Sequence, residues 1–255
     1  MPLSRVPLIA GNWKCNMRLD TAFQLACDIV SRVNDVDGVE KVVCPPFIYL
    51  ATVETALTMS TVRLGAQDVH WEDDAAATGE VGPQQIEELC DYVLIGHSER
   101  RHVFGETDGA VNRKVKAALA AGLLPIMCVG ETLEEREAGR MEDVLLRQVR
   151  SGLDGVDVPE TFVMAYEPVW AIGTGKAATA EDAVAAVSLI RRQLASTAGE
   201  GTAEAVRILY GGSVTPENIA AFMAHETIDG GLVGGASLKP DVFSEIIEKT
   251  AAARA

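Results

Sequence analysis

Glu167 is a carboxylate placed where it can act as a base. In Phe162-Val163-Met164-Ala165-Tyr166-Glu167-Pro168 an apolar, strand-like run ends, the carboxylate follows at once, and a proline stops the strand. A small-residue loop then runs to a helix predicted to open near Thr179. An acid at the end of a buried strand, beside a segment able to close over it, is a candidate general base. A second group is His97 in Gly96-His97-Ser98-Glu99-Arg100-Arg101, between a strand and the start of a helix. A helix N-terminus disfavours imidazolium, so His97 is expected to be neutral and to donate a hydrogen bond to a carbonyl. A third group is Asn12 with Lys14 in Gly11-Asn12-Trp13-Lys14. An ammonium there suits a phosphate or a developing enolate oxygen, and Asn12 suits orienting a substrate. Taken singly, His97 also reads as a turn cap, Lys14 as solvated surface, and Glu99, Arg100 and Arg101 as surface or rim ion pairs.

Two glycine loops add an anion site. Tyr210-Gly211-Gly212-Ser213-Val214 and Val233-Gly234-Gly235-Ala236-Ser237 each follow an apolar run. Glycine lets backbone N–H groups converge on one cavity, and a helix start adds positive potential. Each loop alone also reads as a tight turn; the pair together points to phosphate. Gly173-Thr174-Gly175-Lys176-Ala177-Ala178 fits G-x-G-x-x-A in form. It does not start at a strand end, as a dinucleotide fingerprint must, and reads better as a lid.

These groups need elements that bring them together. Strands are predicted near Val6–Ala10, Lys41–Cys44, Val62–Ala66, Tyr92–Ile95, Leu124–Val129, Phe162–Tyr166, Arg207–Tyr210 and Gly231–Val233. They are almost continuously apolar, as strands buried on both faces are. Helices are predicted between them, including Thr21–Val33, one capped by Thr179, one with Pro216 as its first residue, and Asp241–Lys249. Eight strand–helix units predict one (β/α)8 barrel domain over residues 1–255, with a doubly wound sheet as the alternative. The barrel is favoured because it gathers Asn12, Lys14, His97, Glu167 and Ser213 on one rim. An open sheet would string them along a crevice.

Composition narrows the partners. Lys+Arg 22 against Asp+Glu 37 leaves a net charge of -15, which argues against nucleic acid or an anionic membrane. Local field at a site can still favour a small anion. Five scattered cysteines without a C-x-x-C fit a reducing compartment rather than a disulfide framework or a zinc site. With no signal-like start and no apolar stretch long enough to cross a membrane, the expected location is cytoplasmic.

Taken together, Gly11–Lys14, Gly65–Gln67, Gly96–Arg101, Pro125–Glu131, Ala165–Lys176, Tyr210–Val214 and Gly234–Leu238 resemble the triosephosphate isomerase family, over essentially the whole chain. That family is an established example of tuned acid–base roles and lid closure. The resemblance implies interconversion of dihydroxyacetone phosphate and glyceraldehyde 3-phosphate through an enediolate, in glycolysis and gluconeogenesis, without metal or cofactor. It implies Glu167 as the base, His97 as the neutral donor to the carbonyl, Lys14 as the stabiliser of negative charge, Asn12 as a positioning group and Glu99 as a supporting carboxylate. Backbone N–H groups of Gly173, Ser213, Gly234 and Gly235 would hold the phosphate. Pro168–Ala178 would form the lid, Tyr210 and Ser213 its latch, and Ile172 with Leu232 the cover over Glu167.

It also implies a homodimer, with the loop around Thr78 inserted beside the partner subunit. Three residues depart from the family pattern: Asp68 for Asn, Ala77 for an aromatic, and Gly231 for a bulkier residue beside Leu232. Cys15, where Met is common, is expected to face the partner. Two other readings stay open on sequence. One is a different sugar-phosphate reaction on the same barrel, such as a Schiff-base aldolase or a phosphoribosyl isomerase. The other is a non-catalytic phosphate-binding barrel.

Overall fold

The computed structural model describes residues 5–172 and 178–254. Eight parallel strands close into a barrel in chain order: β1 (Leu8–Asn12), β2 (Glu40–Cys44), β3 (Val62–Ala66), β4 (Tyr92–Ile95), β5 (Leu124–Val129), β6 (Val163–Tyr166), β7 (Arg207–Tyr210) and β8 (Gly230–Val233). Helical segments follow each strand, so the fold is the (β/α)8 barrel and not the open sheet.

Side chains alternate across the strands and so divide the core in two. Leu8, Ala10, Val42, Cys44, Tyr92, Leu94, Ile126, Cys128, Val163, Ala165, Leu209 and Leu232 fill the barrel interior. Ile9, Val43, Val93, Ile95, Met127, Met164, Tyr166, Ile208, Tyr210 and Val233 pack outward with the helices. Both faces being buried explains the unbroken apolar runs. Burying each such aliphatic side chain contributes about 1.5–3 kcal/mol before entropy is counted. The alternation also has a consequence at the rim. With Ala165 inside and Tyr166 outside, the next residue, Glu167, turns inward; by the same parity from Ala10 and Gly11, so does Asn12.

Two predicted elements shift. β1 starts at Leu8 and runs on to Asn12, which pairs with Cys44. Pro7 has no N–H for the ladder and contributes only its carbonyl, to Glu40. The helix expected from Pro216 begins at Ile219. Asn218 diverts that turn: its side chain accepts from Thr215 N–H and donates to Ser213 O, both at 2.8 Å. The Thr179 cap holds as expected. Thr179 Oγ1 accepts from Asp182 N–H at 3.1 Å, Asp182 returns the bond to Thr179 N–H, and the helix runs Ala180–Ala198.

Gly231 faces the outer layer, away from Glu167. A Cβ built there would meet Ile9 at 3.5 Å and Val214 at 3.6 Å, which is ordinary contact. Replacing it with alanine restricts the unfolded chain more than it strains the fold. Gly231→Ala should therefore raise folding stability by about 0.4–1 kcal/mol, read from urea unfolding at unchanged m.

Candidate active site

Asn12 ends β1, and its Oδ1 accepts the Lys14 backbone N–H at 3.0 Å. Lys14 has φ 52, a left-handed conformation that costs a non-glycine residue on the order of 1 kcal/mol. Gln67, from the loop after β3, secures the turn by donating to Lys14 O at 2.9 Å and Cys44 O at 2.8 Å. The strained turn aims the Lys14 ammonium across the barrel mouth to Glu99 Oε1, 2.5 Å away. Glu99 thus lies beside Lys14, on the rim as expected.

Glu167 and His97 meet at the centre. His97 Nε2 lies 2.9 Å from Glu167 Oε1, and Ser98 N–H donates to Glu167 Oε2 at 2.8 Å. Both groups are buried. Glu99 N–H donates to His97 Nδ1 at 3.2 Å, which leaves Nε2 to carry the ring proton and point it into the site. In the neutral form that the helix start favours, the ring would hold this tautomer.

At rest, burial and pairing act on Glu167 in opposite directions. Burial does raise the Glu167 pKa, but His97, the Ser98 N–H and Lys14 together outweigh it and hold the carboxyl below its usual range. Burial disfavours a second proton on His97, yet the adjacent Glu167 charge outweighs that and raises its pKa. The shifts therefore belong to this contact.

A cavity of about 570 Å³ opens over this pair, lined also by Asn12, Lys14, Ile172, Ser213, Leu232, Gly234 and Gly235. Two further lining glycines, Gly211 and Gly212, are required by close approach. A Cβ on Gly211 would sit 3.0 Å from Glu167 Cγ, and one on Gly212 would sit 2.2 Å from the Tyr210 hydroxyl and 3.1 Å from Pro168. Tyr210 is buried beneath the loop. Burial pushes its phenol up to about 12, opposed by the Ala178 backbone N–H. Pro168 and Ile172 flank the short turn Val169–Ala171 at the lid's beginning. Gly173, expected to bind phosphate, lies outside the described residues.

Several residues act here that the motif reading did not single out. Glu131, fully buried, accepts from Trp170 Nε1 at 2.8 Å, Tyr166 Oη at 3.1 Å and Arg136 at 3.2 Å, and so anchors the turn Val169–Ala171. It stands one residue further from its strand than Glu167 does, with Gly130 between, so only a looser strand-end pattern could have found it. Gly130 carries no such signal: a Cβ there would lie 1.7 Å from Glu167 O. Gln148 grips Gly130 through both its N–H, at 2.8 Å, and its carbonyl, at 3.2 Å. Arg101 makes the expected ion pair, with Asp108 at 2.7 Å, but its side chain is 7% exposed and does not lie on the surface.

A family model described as triosephosphate isomerase matches residues 7–250. The chain belongs to the triosephosphate isomerase family. Among curated relatives of that name, one from Moorella thermoacetica is 52% identical over 249 residues, covering 95% of this chain and 98% of the relative. One from Dehalococcoides mccartyi is 50% identical over 244 residues, covering 96% of each. One from Alkaliphilus metalliredigens is 49% identical over 246 residues, with 95% and 99% covered. By family the chain is an isomerase of triose phosphates.

Two outcomes are expected. Glu167→Gln removes the larger charge that raises His97, leaving burial and Lys14 opposed only by Glu99, so the His97 pKa should fall below its wild-type value in an ¹⁵N NMR titration. Gly130→Ala must displace the Glu167 backbone, so turnover should fall by about 10²-fold or more in a coupled assay of folded protein.

Proposed function

We propose that the chain interconverts dihydroxyacetone phosphate and D-glyceraldehyde 3-phosphate, with Glu167 as the base and His97 as the neutral proton donor. The observation that carries this reading is the buried contact of Glu167 with the Nε2 face of His97, within a cavity that Lys14 also lines. Glu167 takes a proton from one substrate carbon as the C–H electron pair moves into the enediolate. His97 Nε2–H donates to the oxygen that gains charge and takes up the hydroxyl proton of the other oxygen in exchange, and Glu167 returns its proton to the neighbouring carbon.

Each oriented donor at that oxygen stabilises the transition state by roughly 3 kcal/mol. Lys14 adds charge stabilisation, Asn12 positions the oxygens, and Glu99 holds Lys14 in place. Backbone N–H groups of Gly173, Ser213, Gly234 and Gly235 hold the phosphate.

Both Glu167 oxygens are occupied at rest, by His97 and Ser98. The carboxylate must leave them to reach substrate, and in doing so it loses the contacts that depress its pKa. Closure of Pro168–Ala178, with Ile172 and Leu232 as cover and Tyr210 with Ser213 as latch, excludes water and makes the carboxylate a stronger base. The family is itself an established example of such a lid. Gripping the phosphate also keeps the enediolate from eliminating it. This role belongs to glycolysis and gluconeogenesis, and no metal or cofactor is required.

The chain acts as one barrel domain over residues 1–255, in the cytoplasm, as a homodimer. Support for the dimer comes from apolar residues exposed beyond β2 and β4, Ile48 at 77%, Val103 at 70% and Phe104 at 67%. They lie at the end of the barrel that carries the loop around Thr78. Asp68 ties the base of that loop to its own subunit, through Lys114 at 2.6 Å and Arg100 at 3.1 Å. Ala77 then offers less contact than an aromatic would, and exposed Cys15 lies toward the partner.

Coupled turnover of glyceraldehyde 3-phosphate tests the reaction, and folded protein without turnover would refute it. Glu167→Asp withdraws the carboxylate by about one bond length and should lower kcat about 10²-fold with little change in substrate binding. Borohydride trapping with substrate should leave Lys14 unlabelled, which separates this reaction from a Schiff-base aldolase. Sedimentation should give twice the chain mass.

A further inference from the structure

Arg101 sits where two strand ends separate. The ladder between β4 and β5 stops at the pair Ile95 and Met127. One residue further, Gly96 precedes His97, and Cys128 lies beside β6 at Ala165. Across that gap lies the Arg101 guanidinium. Its Nε donates to Gly96 O at 2.7 Å, and one Nη donates to Cys128 O at 3.1 Å. The other Nη donates to Asp108 at 2.7 Å, and Asp108 pairs in turn with Arg147. Gly96 admits the group because it has no side chain: a Cβ there would sit 2.9 Å from the nearer Nη, and its φ of 69 suits glycine.

We propose that Arg101 is a positioning residue that sets the His97–Glu167 separation by bridging the carbonyls of Gly96 and Cys128 where the backbone ladder has ended. The inference rests on the reaction proposed above. On one side the bridge holds the peptide that leads into His97. On the other it holds the end of β5, where Val129 O accepts the Glu167 N–H at 2.8 Å. His97 on β4's end and Glu167 on β6's end are thus referred to one rigid, planar cation. Lysine, with a single nitrogen on a flexible stem, cannot span both carbonyls and reach Asp108 in the same geometry.

The experiment compares wild type, Arg101→Ala, Arg101→Lys and Asp108→Asn by kcat, KM and the ¹⁵N shifts of the His97 ring. Misplacing reacting groups by a fraction of an ångström lowers kcat more than KM, so Arg101→Ala should lose about tenfold or more in kcat with KM within about twofold. Low, non-denaturing guanidinium ion should restore several-fold of that loss in Arg101→Ala and leave wild type unchanged, while Arg101→Lys stays impaired. His97 shifts in Arg101→Ala should move toward those of Glu167→Gln, because the contact has opened.

The proposal is overturned if Arg101→Ala keeps kcat within about twofold of wild type, if its loss lies in KM alone, or if guanidinium gives no recovery. Should Arg101→Ala fail to fold, Asp108→Asn decides: lower kcat at constant KM supports the role, and unchanged kcat overturns it. A wild-type chain that does not turn over triose phosphate would refute the reaction. In that case the His97 shifts of Arg101→Ala alone test positioning: movement supports it, and no movement overturns it.

Discussion

The structure depends on holding one carboxylate and one imidazole together at the mouth of a dry barrel. Glu167 and His97 come from the ends of two strands with β5 between them, yet their side chains meet at 2.9 Å. Neither group would stay buried without the other and the Ser98 N–H, because an isolated buried carboxylate is strongly destabilising. The contact therefore serves the resting state. It is stable enough to keep the acid ionised.

Around that contact the molecule uses backbone rather than charge. The chain is strongly acidic, with a net charge of -15, and a phosphorylated substrate would meet an unfavourable field over most of its surface. The cavity answers this locally with Lys14 and with glycines whose missing side chains open the peptide groups. Lys14 is held in a left-handed turn by Asn12 and Gln67, and its ammonium is paired with Glu99 at 2.5 Å. The partly exposed pair keeps the cation aimed while the site is empty, at little net energetic benefit of its own.

Buried polar side chains do the remaining alignment. Glu131 collects Tyr166, Trp170 and Arg136 at the start of the lid, Gln148 seizes both backbone groups of Gly130, and Arg101 spans two carbonyls. Each takes over where regular strand pairing stops. A barrel rim is where the ladder runs out, so the peptide groups there need side-chain partners to remain satisfied and fixed.

Much of this was legible in the chain. Apolar runs marked the eight strands because both barrel faces are dry, and the count implied closure. Glu167, His97, Asn12, Lys14 and the two glycine loops stood out because polar groups directly after buried strands are conspicuous. The limits of reading were local and physical. Pro7 delayed β1, and the Asn218 side chain postponed a helix that Pro216 seemed to open, since a side chain can supply the hydrogen bonds a first helical turn would make. Arg101 looked like a surface charge because its partners, the carbonyls of Gly96 and Cys128, have no signature in residue type. Sequence by itself determined the fold and which residues meet at the rim, because those follow from periodicity and residue chemistry, and it carried the motif segments that resemble the family. Only the tertiary structure decided that Glu167 rests against His97 with its acidity increased, that Gly231 faces away from it, and that Gly130 and Arg101 shape its setting. Those outcomes depend on distances between atoms far apart in the chain, and on which of burial and pairing is the larger effect at one point in space.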